Sequence, residues 1–231
     1  MIFTGPLADA LAVLVGGLAG TAIGDRISDR LNNIMMQALG LASIFIGISG
    51  ALVGENIMVC ILSLVIGGVI GNLCDLDGRM NRLGDFMDRK LKKISFFKKS
   101  GKFTEGFILA TVMSCTGGMA IVGSIESGIN LNHDIMFSKA VIDLCMGVIL
   151  ASTLSIGVIF ASVPLILYQG TLTLIAAMIG EFLTQATINE MSCVGNILIM
   201  AMGLNVIKAT DIKVANLLPA PFLPIILCLF M

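Results

Sequence analysis

The stretch LADALAVLVGGLAGTAIG, residues 7–24, decides the class of this protein. Its one charged residue is Asp9, and its length approaches the about 20 apolar residues that a helix needs to cross a bilayer core. The run is continuous rather than alternating, which argues against a barrel strand. A helix also satisfies its own backbone N–H and C=O groups where no water can reach them. Comparable runs occupy residues 34–53, 57–74, 103–123, 138–162, 164–183, 191–207 and 214–231. The expected fold is therefore all-α, a polytopic integral membrane helix bundle of about eight transmembrane helices in a single domain covering residues 1–231. The fifth and sixth runs meet so tightly at Ser162, Val163 and Pro164 that one of them reads equally as a broken or re-entrant segment.

The rest of the composition agrees. Residues of the apolar class make up 57% of the chain and charged residues 13%, against about 25% charged in soluble domains; the mean hydropathy is +1.01. A water-soluble globule of 231 residues could not cover its surface from that stock, so a soluble enzyme, a nucleic-acid binder and a secreted disulfide scaffold are excluded. Cys60, Cys74, Cys115, Cys145, Cys193 and Cys228 sit in or beside apolar runs without a C-x-x-C pair and read as small buried hydrophobes. The N-terminal run lacks the positive flank of a secretory signal and is expected to persist as the first helix.

Lys and Arg set the orientation, because short cytoplasmic loops carry the excess of positive charge. Arg26 and Arg30 follow the first run; Arg79, Arg82, Arg89, Lys90, Lys92, Lys93, Lys98, Lys99 and Lys102 follow the third; Lys208 and Lys213 follow the seventh. Alternate crossing from an outside N-terminus places all of them in the cytoplasm and both termini outside, and leaves Lys139 as the sole exception. Within residues 75–102, Leu76, Met80, Leu83, Met87, Leu91 and Ile94 recur at helical steps between the basic residues. That pattern predicts a basic amphipathic helix on the inner leaflet, with anionic lipid headgroups as partners of residues 79–102.

A weak internal repeat is also legible. Gly24-Asp25, Gln37-Ala38-Leu39-Gly40 and Gly47 are echoed by Gly180-Glu181, Ser192-Cys193-Val194-Gly195 and Gly203, an offset of about 155 residues that suggests an inverted-topology repeat of residues 7–74 and 164–231. Gly16, Gly20 and Gly24, like Gly50 and Gly54 and like Gly67 and Gly71, recur every fourth residue, the spacing that lets membrane helices approach closely and that favours a homo-oligomer.

Polar residues inside the runs supply the candidate site. Ser114, Cys115 and Thr116, with Gly117 and Gly118, weaken the fourth run at its middle, and Glu126 lies at its outer end. Broken helices persist in a bilayer only where protein or a water-filled cavity surrounds them, although Ser and Thr also bond back to their own helix; both readings stand. Lys139 and Asp143 lie one turn apart at the head of the fifth run, either a solvated bridge at the outer interface or a pair of intramembrane charges for which function is the default. Ser152, Gln169 and Asn196 complete the substrate- or ion-binding set. Asp9 and Glu181 are expected at the interface. No P-loop or H-E-x-x-H pattern occurs and His133 is the only histidine, so neither an enzyme, a metal site nor a cofactor is expected. Gly47-Ile48-Ser49-Gly50 matches the short Gly-x-Ser-Gly stretch of intramembrane serine proteases, but the histidine such a dyad requires falls in an expected loop.

The runs Met36-Gln37-Ala38-Leu39-Gly40-Leu41, Gly118 through Ile125, Lys139 through Asp143 with Ala151 through Val158, Leu167-Tyr168-Gln169-Gly170 and Asn216-Leu217-Leu218-Pro219-Ala220 resemble, in the same order, the YdfK/YqgA-type bacterial membrane proteins, domain of unknown function family 554. The resemblance spans essentially the whole chain. The family pattern has Gly-Pro at the positions of Gly117-Gly118, which softens the expected break, and Gln-Asp at those of Glu126-Ser127. The resemblance implies a multi-pass bacterial inner-membrane protein for which a transport role is commonly suggested, without an established substrate or site. Together these readings predict a secondary transporter of a small solute or ion; an oligomeric channel and a structural or regulatory membrane module are the alternatives.

Overall fold

The computed structural model describes residues 1–24, 28–91, 103–116, 118–154, 156–179 and 184–229. Its helices are α1 (Thr4–Gly24), α2 (Asp29–Ala51), α3 (Ile57–Leu73), α4 (Leu76–Leu91), α5 (Phe103–Thr116), α6 (Gly118–Ile129), α7 (Asp134–Leu154), α8 (Gly157–Phe160), α9 (Ser162–Ile179), α10 (Gln185–Val206) and α11 (Pro224–Leu227). Among the described residues there is no strand. Among the described residues, five spans are long and apolar enough to cross a membrane, or up to seven when the bent pairs α3–α4 and α5–α6 each count as one. The protein is thus an all-α membrane bundle.

Two expected spans take a different form. The eighth, residues 214–231, is no continuous helix: 3-10 turns at Val214–Leu217 and Ala220–Phe222 lead into the short α11. Pro219, Pro221 and Pro224 cluster there, and proline withdraws the N–H that helix propagation needs. The fifth run divides earlier than expected, with α7 ending at Leu154 and α8 intervening before α9.

The expected amphipathic segment begins as α4; its remainder, residues 92–102, lies outside the described residues, as do Asp25, Arg26, Gly117, Ser155 and Glu181. Between α3 and α4 the axis turns by 50°. Asp75, with φ 49°, makes that turn in the left-handed region that Asp tolerates better than most residues. Arg82 Nη2 donates to Asp75 Oδ2 at 2.8 Å and holds this exposed carboxyl below the usual carboxylate range.

The packing is the inverse of a soluble core. In α1 the buried face carries Gly5, Ala10, Val13, Gly16, Gly17 and Gly20, while Leu7, Leu11, Val15 and Leu18 point outward. In α3, Ile57, Ile61, Val65, Val69 and Leu73 face out in the same way, against buried Gly67 and Gly71. An apolar belt of this extent is stable against lipid tails and not against water. Lipid removes the hydrophobic drive between helices, so close backbone approach takes over.

These approaches fix the directions of the helices. Gly16, Gly20 and Gly24 of α1 sit against the backbones of Leu144, Val148 and Ser152 of α7, so α1 and α7 run parallel. Gly17 meets Ile159 just before α9, whereas Phe3 lies near Gly170 within it, so α9 runs antiparallel to α1. Gly40 meets Gly203 and Gly50 meets Asn196, so α2 and α10 are antiparallel. Gly71 lies on Asn216 and Gly67 on Ala220, and the C-terminal segment therefore folds back along α3. Asn33, Asn81, Glu105, Lys208 and Lys213 line one cavity of about 770 Å³, which gathers the start of α2, α4, the start of α5 and the end of α10 at one face of the bundle.

A Cβ at Gly20 would overlap the Val148 carbonyl. Gly20→Leu is expected to cost about 1–3 kcal/mol or more and to lower the melting temperature of the detergent-solubilised protein, while outward-facing Leu18→Ala should shift stability by less than about 0.5 kcal/mol.

Candidate functional site

Helix α1 begins at Thr4, with Pro6 in its first turn, where its ring presets the helical φ. Asp9 therefore falls inside the helix, on the same buried face as Val13 and Gly16. Helix α7 begins at Asp134, so Lys139 and Asp143, one turn apart and on one face, also lie within the helix rather than at its mouth. The parallel packing of α1 on α7 brings the three together. Antiparallel α9 adds Gln169.

Lys139 Nζ donates to Asp9 Oδ2 at 2.7 Å and to Asp143 Oδ2. Gln169 Nε2 donates to the same Asp9 oxygen at 2.6 Å. Asp9 and Gln169 are fully buried (0% exposed), Lys139 is 4% exposed and Asp143 7%. Asp9, expected at the interface, is enclosed among α1, α7 and α9, because the first turn of α1 precedes the apolar run and turns the acid inward. Lys139 and Asp143 take the buried alternative. An ammonium away from water requires nearby counter-charge, and the cluster supplies two carboxylates from two helices.

The break in the fourth run is present. Helix α5 ends at Thr116, α6 starts at Gly118, and the two are bent by 54°. Ser114 and Cys115 are buried at the end of α5, and Cys115 lies within electrostatic reach of Lys139, Asp143 and Asp9. The side chain of Thr116 lies outside the described residues. Tyr168, beside Gln169, packs edge-on against Phe222, with ring centroids 5.8 Å apart. Its buried hydroxyl has no partner among the described residues, nor have Thr111 Oγ1, Ser124 Oγ and Thr173 Oγ1. Buried polar atoms normally have partners, so this density of orphans on α5, α6 and α9 marks the polar interior.

The other candidates lie apart from this cluster. Ser152 bonds back to the Ile149 carbonyl. Glu126, half-buried near the end of α6, accepts from Asn130 Nδ2 at 2.9 Å. Asn196 bonds back to Ser192 and presses on Gly50 of α2. Sequence reasoning missed Asp9 as a site residue, and it missed Glu190. Glu190 is 3% exposed, and its Oε1 accepts from the backbone N–H groups of Glu55 and Asn56 at 2.7 and 2.8 Å, tying the α2–α3 turn to α10. Thr184 caps α10 by accepting from Thr187 N. This Thr at the N-cap was the available signal that the helix starts ahead of its hydropathic run and includes Glu190.

Among the described residues, no group of three or more His, Cys, Asp or Glu could hold a metal ion. What the cluster can do is bind and release charge inside a helix bundle. Lys139→Met, which strands two carboxylates, should cost about 3–5 kcal/mol in denaturant unfolding from mixed micelles. Adding Asp143→Asn should recover part of that loss, by the logic of a double-mutant cycle.

The chain matches the family model described as "Protein of unknown function (DUF554)" over residues 4–229. It is 28% identical over 226 residues to "Uncharacterized membrane protein YdfK" of Bacillus subtilis (strain 168), covering 95% of this chain and 93% of that protein. It is 31% identical over 222 residues to "Uncharacterized protein YqgA" of Escherichia coli (strain K12), covering 94% and 92%. No solved structure matches.

Proposed function

This chain belongs to the DUF554 family of membrane proteins, and from that premise we propose that it is a secondary transporter of a small solute or ion in the bacterial inner membrane. The observation that carries this reading is the buried Asp9–Lys139–Asp143–Gln169 cluster, shared by three helices beside a bent fourth span. Charges are too costly in a bilayer interior to be retained without use. A change in their pairing alters how tightly the helices that carry opposite members hold each other. Asp9 on α1 and Lys139 on α7 have that arrangement.

The repeat supports the same reading. Shifted by about 155 residues, α1 falls on α9, α2 on α10 and α3 on the segment Val214–Leu227, as expected for repeated halves. Each of these pairs is in contact and antiparallel, the relation an inverted repeat requires. In such folds the binding site lies at the repeat interface, near the bilayer midplane. Gln169 on α9 meets Asp9 on α1 at that interface.

The face that gathers Lys208 and Lys213 is the cytoplasmic one in this reading, with anionic headgroups along α4. In a cysteine-free background, Arg79→Cys should react with a membrane-impermeant thiol reagent only in inverted vesicles. Reaction in intact cells would reverse the topology.

The transport reading is tested with purified protein and a panel of inorganic ions, amino acids and carboxylates. A ligand that prefers the folded state raises its apparent stability. The expected result is a thermal shift for one chemical class, abolished by Asp143→Asn, and saturable uptake with counterflow of that class in proteoliposomes. Unitary currents in a planar bilayer would replace the transporter with a channel. A hit indifferent to both Asp143→Asn and Lys139→Ala would move the site elsewhere.

A further inference from the structure

The cluster holds two carboxyl groups and one ammonium, so with both acids ionised it carries one excess negative charge in a region closed to water. The charged and titratable groups facing Asp9 are few. Helix α7 offers Lys139 and Asp143, Cys115 on α5 lies within electrostatic reach, and Tyr168 on α9 lies within reach of Cys115. Helix α8, also packed on α1, consists of Gly157, Val158, Ile159 and Phe160 and brings none. On α6, Glu126 is engaged with Asn130 at the half-exposed end, and His133 after it bonds to Ser127 at 3.0 Å. Lys139 is the one cation of this group, and two carboxylates share it.

The hydrogen bonding is incomplete in a matching way. Asp9 Oδ2 accepts from both Lys139 Nζ and Gln169 Nε2, yet Asp9 Oδ1 has no partner among the described residues. Gln169 Nε2 donates, yet Gln169 Oε1 has no partner either. Both orphans are acceptors. They belong to the two planar groups already joined by the Nε2–Oδ2 bond, and the terminal torsions that aim them rotate broadly. A metal cation at this point would confront the Lys139 ammonium and would need several oxygens. A proton needs one.

We propose that Asp9 is a proton-binding site: Oδ1 takes one proton from the aqueous phase, forms an O–H bond and donates it to Gln169 Oε1, closing an acid–amide ring. This rests on the transport reading in one respect only, that the bound proton is the coupling ion. No other bond changes. Oδ2 becomes the carbonyl oxygen and keeps both of its donors, Lys139 pairs with the Asp143 carboxylate, and the cluster becomes neutral. Release of the proton to the opposite aqueous phase returns the excess charge, which Lys139 alone must then divide between α1 and α7. The proton state of Asp9 thereby sets how tightly those two helices hold each other at this level.

The test is infrared spectroscopy of the protein in lipid nanodiscs at pH 7, with [4-13C]aspartate labelling. The expected result is a protonated-carboxyl C=O band that shifts on labelling and on transfer to D2O, is lost in Asp9→Asn, and moves in Gln169→Leu. It is lost also in Asp143→Asn, where Lys139 requires the Asp9 carboxylate as its counter-charge. A band unmoved in Gln169→Leu assigns the proton to Asp143 and overturns the site. Asn is the isosteric mimic of the protonated acid and can form the same ring. Labelled wild-type protein carries the test should any variant fail to fold. Absence of the band from wild type, or its survival in Asp9→Asn, overturns the proton site. Solute uptake without the band would refute the proton site and leave transport standing; the band without uptake of any solute in the panel would do the reverse.

Discussion

An ammonium group buried in a helix bundle away from water must find its counter-charge within the protein, and that constraint organises this fold. Lys139 meets it with one carboxylate from its own helix and one from a helix 130 residues earlier in the chain. The second contact demands that α1 and α7 run parallel and in register, and the Gly16, Gly20 and Gly24 stripe makes the necessary approach available. The electrostatic requirement and the steric permission therefore describe one helix pair. Neither suffices alone: in lipid a glycine stripe gains only dispersion, and a buried ion pair without close packing is a net cost.

The same logic explains where the polar atoms lie. With small residues turned inward and large apolar ones turned to lipid, the interior retains room for hydroxyls, thiols and carboxamides. Thr111 and Cys115 on α5, Ser124 on α6, and Tyr168, Gln169 and Thr173 on α9 occupy it. Ser114 and Cys115, buried at the end of α5 ahead of the bend, belong to this polar interior. Glu190 serves a different end. Its carboxylate holds the two N–H groups at the α2–α3 turn, an anchor at the end of the bundle opposite the basic cavity.

Much of the site was legible in the sequence because each of its residues is conspicuous in an apolar run. Lys139 breaks the charge bias, Asp143 lies one turn on, Gln169 stands amid leucine and threonine, and Cys115 adjoins a run of helix-weakening residues. Asp9 and Glu190 escaped for a single reason. Hydropathy locates the lipid-embedded part of a helix, whereas caps and proline locate its start, and the start comes first: Thr4 rather than 7, Asp134 rather than 138, Gln185 rather than 191. Each early turn moves a charged residue from the expected interface into the bundle. The eighth span erred in the opposite sense, since hydropathy counts Pro219, Pro221 and Pro224 as tolerable while the backbone ladder does not.

By itself, the sequence determined that this chain is a helical membrane protein, which residues break its apolar runs, and which segments carry positive charge. Those properties follow from local composition and the thickness of a bilayer. Only the tertiary structure decided which of the intramembrane polar residues meet. Asp9, Lys139 and Gln169 are brought together by helix direction and by backbone approaches across more than half the chain, and the short-range periodicity of a helix contains no information about which distant helix will lie against it.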